Sequence, residues 1–156
     1  MVDVRAGLER LGLQLPTVSA PLAAYVPATR VGSLVFTAGQ LPLVDGVPTA
    51  VGLVADDPGP GEVSIDVAYA CALRAGLNAI AAAGTVIDVD RIVRVVKVTG
   101  FVAGVPDFVA MPQVVNGASE LFGSLWEDGH ARSAVGVAAL PLGVPVEIEA
   151  VFEIGD

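Results

Sequence analysis

A chain of 156 residues has the common size of a unit folded around one core, so residues 1–156 are read as a single domain. Its 17 acidic residues against 8 basic ones give a formal charge of −9, which repels a phosphate backbone and argues against nucleic acid as a partner. With 54% hydrophobic residues and a mean hydropathy of +0.72, the chain has more apolar surface than so small a globule hides, and part of it is expected to face another subunit.

The opening Met1-Val2-Asp3-Val4-Arg5 lacks the basic patch and apolar run of a signal peptide. Val4, Leu8 and Leu11 then recur at helical spacing, with Asp3 as N-cap and Gly12 as stop, so a short helix leads the chain within an N-terminal extension over 1–20. Past the Pro16–Pro21 turn region, residues 24–30 and 33–38 read as two extended segments of a hairpin about Gly32. From Gly39 to Gly61 prolines and glycines predict a long loop.

Between Glu62 and Ala83 the residues Ile65, Ala68, Ala72, Leu73, Gly76, Leu77 and Ile80 repeat every three or four positions, the pattern of the main helix, with Gly84 as its stop. Arg91, Arg94 and Lys97 are spaced as on a helix, but the valines among them predict a central strand over 91–103. A second helix over 113–126 and extended segments at 131–139 and 144–154 follow; in the last, Val146, Ile148, Ala150, Phe152 and Ile154 alternate strictly. The order predicts an α+β fold, one mixed sheet backed by two helices. The apolar runs near Ala75–Ile87 and Ser133–Val146 fall short of the ~20 residues a membrane span needs, and the single cysteine forms no intrachain disulfide. A cytoplasmic protein is expected.

Three stretches together, Tyr25–Pro42 (YVPATRVGSLVFTAGQLP), Arg91–Phe108 (RIVRVVKVTGFVAGVPDF) and Ala131–Ala150 (ARSAVGVAALPLGVPVEIEA), resemble the Rid (YjgF-type) reactive-intermediate deaminase superfamily. The T-A-G-Q-L-P turn, the A-R-S-x-V segment and the V-E-I-E-A strand carry the likeness, in the family order. The resemblance implies a homotrimer of the Bacillus chorismate mutase-like fold with ligand clefts between subunits. It implies hydrolysis of 2-imino acids and their enamine tautomers to 2-keto acids and ammonia, with no metal or organic cofactor. A non-catalytic trimer that binds small 2-keto or imino carboxylates is the alternative; a ribonuclease is opposed by the charge.

Carried over residue by residue, the carboxylate-gripping arginine is Arg132 and the water-positioning glutamate is Glu147. The cleft tyrosine is Tyr25, the turn glycine is Gly39, and an asparagine preceding the second helix is matched by Asn116. Two departures remove polar cleft atoms: Ala38 stands where a serine is frequent, and Ala134 where a cysteine is.

Each residue also has a plainer reading. Arg132 lies in an apolar strand, where a guanidinium requires an anionic ligand or an acidic partner, such as an interfacial salt bridge. Glu147 shares a face with Glu149 and Glu153, the pattern of a solvated sheet side. Gly39 serves equally as a turn glycine, and Tyr25 as a half-buried core aromatic. His130, the single histidine, reads as a loop residue and by itself makes no metal site; Cys71 and Trp126 read as packing residues.

Overall fold

The computed structural model describes residues 3–18 and 24–155. Helix α1 (Val4–Arg10) begins where the Asp3 carboxylate accepts the Ala6 N–H at 2.8 Å, the cap predicted from sequence, and Gly12 follows it at φ +70°. It buries Val4 and Leu8, and Gly7 lets it approach Leu125 closely. Asp90 Oδ1 accepts the N–H groups of Val4 (2.9 Å) and Arg5 (3.2 Å), while the Arg5 guanidinium lies on Asp88 (2.8 Å) and Asp90. The leading helix is thereby clamped to the turn that precedes the central strands.

Strands β1 (Ala28–Val31) and β2 (Leu34–Thr37) form the expected hairpin about Gly32, φ +60°. The Gly39–Gly61 segment, predicted as loop, is more ordered than that. It holds the hairpin β3 (Leu43–Val44) and β4 (Val47–Pro48), turned at Asp45 and Gly46, whose φ values are 51° and 80°. It also holds β5 (Leu53–Val54), which pairs in parallel with β6 (Glu62–Val63). Because residues 62–63 are drawn into β6, helix α2 (Ile65–Ala83) starts later than the periodicity predicts, capped by Ser64, whose Oγ accepts the Val67 N–H. Strand β7 (Ile92–Ala103), helix α3 (Met111–Leu125), and strands β8 (Ala131–Val137) and β9 (Val146–Ile154) complete the order.

Five strands form one sheet in the order β1-β2-β9-β7-β8. Every neighbouring pair is antiparallel except β7 and β8, so the sheet is mixed, as expected of an α+β chain. α2 and α3 cover one face. There Val98, Val102, Ile148 and Phe152 are fully buried, and Phe122, Trp126 and Phe152 pack ring on ring. Trp126 donates its indole N–H to Ile92 O at 3.1 Å, which fixes it as a packing residue. Cys71 is likewise buried.

α2 is by length and composition apolar enough to span a membrane, but 56% of it is buried within this fold. Against the sequence expectation that no run reaches spanning length, its apolarity is directed at the core. The second sheet face is different: Phe36 and Val135 on it each remain 39% exposed.

Candidate functional site

The first group of predicted residues gathers at a bulge. β2 pairs with β9 through Phe36↔Val151, and the next pairing is Gln40↔Ile148, closed by two backbone hydrogen bonds of 2.7 and 3.0 Å. The register has shifted by one residue, so the Thr37–Gly39 side carries a residue with no partner on β9. Thr37 repairs the ladder with its side chain, its hydroxyl oxygen accepting the Ala150 N–H at 3.0 Å. The bulge turns the backbone of Gly39 onto Glu147. A Cβ at position 39 would overlap the Glu147 carboxylate and lie 2.7 Å from its Cδ. Glycine acts here through space, since its φ is not in the left-handed region: a side chain would push the Glu147 carboxylate aside.

Glu147 alternates with buried neighbours along β9 and is itself half-buried. Burial raises its carboxyl pKa above the ordinary value, and the charge of Glu149 raises it further. Glu149 and Glu153 share that face, and Glu153 is engaged by Arg94 at 2.5 Å. Tyr25 lies close in sequence to β1, and the bond from Ala38 N–H to Pro27 O (2.8 Å) draws its segment toward the bulge. It is 46% exposed, so the reading of a half-buried core aromatic does not hold.

The second group is built on β8 and α3. Arg132 pairs with Val98, and Val98 with Ala150, so all three side chains point to the helix-covered face. β8 is the edge strand, which lets the half-buried guanidinium reach α3 from the side. Its Nη1 donates to Asn116 Oδ1 (2.7 Å) and Ser119 Oγ (3.2 Å), and its Nη2 to Pro112 O (3.4 Å). Three of the five guanidinium donors are thus used, all on neutral oxygens. The Nε–H and one Nη2–H have no partner among the described residues, and no carboxylate there pairs with Arg132.

Asn116 requires a correction. It does not precede the second helix but lies inside it: α3 runs Met111–Leu125, and the predicted span 113–126 already contained position 116. Ser119, one turn further on the same face, was not singled out from sequence; the three-residue spacing of two polar side chains on an otherwise apolar stripe was the available signal. His130 does stand in the turn before β8, with its Nε2 2.9 Å from Ser119 Oγ. Ala134 follows Arg132 on the same face, pointing at α3 where the family cysteine would be.

The two groups do not meet within the chain. Glu147 pairs with Phe101, which pairs with Val135, placing it on the face opposite to Arg132. Counting two strand spacings and three residues along β9, the Cα atoms of Arg132 and Glu147 are about 14 Å apart.

The family model for Endoribonuclease L-PSP matches residues 17–154. The chain belongs to the Rid (YjgF-type) superfamily. Among Rid relatives, protein TCP17 of Trypanosoma cruzi is 39% identical over 156 residues, spanning 98% of this chain and 95% of that protein. A RutC family protein of Haemophilus influenzae is 36% identical, spanning 85% and 88%. Protein Atu1372 of Agrobacterium tumefaciens, of unknown function, shares the Rid fold seen here at a TM-score of 0.85 and 38% identity, covering 97% of this chain and 92% of its own. Escherichia coli TdcF, solved with bound serine, is similar at a TM-score of 0.57 and 26% identity over 90% and 93%.

Proposed function

We propose that this protein is a cofactor-independent hydrolase of 2-imino acids and their enamine tautomers, working in clefts shared between the subunits of a homotrimer. The observation that carries this reading is the Arg132 guanidinium, oriented by three neutral oxygens and left with two N–H groups open. Two parallel N–H donors match a carboxylate in bidentate fashion, which a lysine cannot reproduce. The serine bound to TdcF is itself a small carboxylate.

In this reading the substrate carboxylate lies on Arg132, and Glu147 acts at the C=N carbon. Water adds to that carbon and gives a proton to the glutamate, which passes it to nitrogen to leave a carbinolamine; the hydroxyl proton then moves to the amine through the same carboxylate, C=O forms as the C–N bond breaks, and ammonia leaves behind a 2-keto acid. One water is consumed for each ammonia released. A carboxyl group whose pKa is raised toward neutrality is suited to carrying the proton both ways. Imines of this kind hydrolyse unaided, so holding the reactants together accounts for much of the acceleration. The backbone N–H groups of the bulge at Gly39 and an exposed Tyr25 would orient the rest of the ligand.

The trimer is supported by the separation of the two groups. One ligand cannot touch Arg132 and Glu147 of the same chain across about 14 Å and through a sheet. A second chain bringing its Glu147 to the first chain's Arg132 resolves this, and the exposed Phe36 and Val135 supply an apolar contact face.

The deciding experiment adds purified protein to 2-iminobutanoate generated in situ by an amino-acid oxidase. Faster decay that is lost in Arg132→Ala supports the enzyme. Tight binding of 2-oxobutanoate without faster decay supports instead a carboxylate-binding trimer, a reading favoured by Ala38 and Ala134, which leave the site two polar atoms short. Light scattering that finds a monomer at micromolar concentration would overturn the shared cleft.

A further inference from the structure

Ser119 Oγ touches two groups at once, Arg132 Nη1 at 3.2 Å and His130 Nε2 at 2.9 Å. An arginine only donates, so the serine oxygen accepts from it and keeps its own proton for another partner. The hydroxyl can give that proton to Nε2 when the neutral imidazole carries its hydrogen on Nδ1. The ring is held in place by the edge of Phe122, with centroids 6.2 Å apart and planes at 85°. In that tautomer a directed chain runs from guanidinium to hydroxyl to imidazole, and Asn116 and Ser119 together engage Nη1.

We propose that Ser119 and His130 are positioning residues for Arg132, holding its guanidinium in the one rotation that leaves the Nε–H and Nη2–H pair facing the substrate carboxylate. This rests on the reading of Arg132 as the carboxylate clamp. Neither residue touches the substrate in this scheme; both act through the arginine.

The arrangement also ties ligand capture to the proton on His130. The charged groups around the imidazole are Arg132 on the adjoining strand, Glu127 and Asp128 in the turn before it, Lys97 opposite Ala131 on β7, and Glu120 on α3, whose carboxylate is engaged by Tyr69 at 2.5 Å. Of these only Arg132 acts on the ring. Burial lowers the His130 pKa, and the charge of Arg132 lowers it further. Protonation would turn Nε2 into a donor and break the relay, so 2-keto acids should bind more weakly as the pH falls through the histidine's range.

The chain has one histidine, so a single set of imidazole resonances in protein labelled with 15N-histidine reads the relay directly. In ligand-free wild type the neutral ring should be the Nδ1–H tautomer; Ser119→Ala should release it to Nε2–H, and Ser119→Thr, which keeps the hydroxyl, should not. Ser119→Ala should bind 2-oxobutanoate about tenfold more weakly, the usual consequence of losing a hydrogen bond to a charged group. An Nε2–H tautomer in the wild type, or Ser119→Ala protein with unchanged affinity, would overturn the proposal. The wild-type measurement stands even where a variant fails to fold. If the tautomer responds to Ser119 as expected but wild type binds no 2-oxobutanoate, the clamp reading of the preceding subsection fails while the relay is supported.

Discussion

Replacing Gly39 by alanine adds one methyl group where Glu147 already lies. The new Cβ would sit 2.7 Å from the glutamate Cδ, and ordinary contact begins at 3.4 Å, so the carboxyl carbon must retreat by about 0.7 Å and its nearer oxygen by more. The Glu147 carboxylate is the end of a flexible side chain, and the backbone at 39 is not left-handed, so the fold tolerates the change. A displaced rotamer costs about 0.5–1.5 kcal/mol. Misplacing a reacting group by about 1 Å costs on the order of 100-fold in rate. Gly39→Ala should therefore lower kcat for 2-iminobutanoate by about that factor, with KM nearly constant because Arg132 is untouched, and with only a small loss in urea stability. The assay is the decay of imine formed in situ, followed at several concentrations. Turnover at the wild-type rate would refute the placing of Glu147 at the chemistry, and a collapse of the fold would refute the claim that only its carboxylate stands in the way.

Other substitutions test other contacts. Arg132→Lys should weaken 2-oxobutanoate binding by about 10-fold or more in calorimetry, since a point charge cannot serve Asn116, Ser119 and a carboxylate together. Glu147 holds its proton more tightly folded than unfolded, so the folded chain loses stability as the pH rises from the ordinary value of 4.5 through the raised one. Glu147→Gln should then exceed wild type in urea stability near pH 7 and match it below about pH 4; equal stability at both would show the carboxyl to be unperturbed. Gly117→Ala drives a methyl into the backbone of α2 at Tyr69 and Leu73, and should lower stability by about 2 kcal/mol or more, as read by denaturant midpoint. Asp90→Ala removes the acceptor for the Val4 and Arg5 N–H groups and should speed hydrogen exchange across Val4–Arg10 with the imine decay unchanged.

The parts legible in sequence were those with a period. β9 alternates strictly and is buried in strict alternation, and Asp3 caps α1 as its position predicts. Gly84 does end α2, though not by left-handed geometry: its φ is −61°, and a side chain there would press on Val89. The β3–β4 hairpin was missed although Asp45-Gly46 between valines is a strong turn signal, because its strands are two residues long and show no alternation. Parallel pairing of β7 with β8 leaves no local mark in either strand. The bulge at Thr37–Gly39 was hidden for a related reason, since a register shift belongs to two strands more than a hundred residues apart. Family likeness pointed to Arg132 and Glu147, but only the register shows them on opposite faces of one sheet.

The strand order β1-β2-β9-β7-β8 bears on how the molecule is made. β9, the last strand in sequence, is the middle strand of the sheet. A growing chain can form the β1–β2 hairpin early and lay β8 beside β7 later, yet these remain two fragments with bare edges facing each other until residues 146–154 emerge from the ribosome. Unpaired edges recruit neighbouring chains, and closure over such long loops is slow. Nascent or truncated forms lacking β9 should thus be the ones that depend on chaperones, and the strand that carries Glu147 is also the one that ends that exposure.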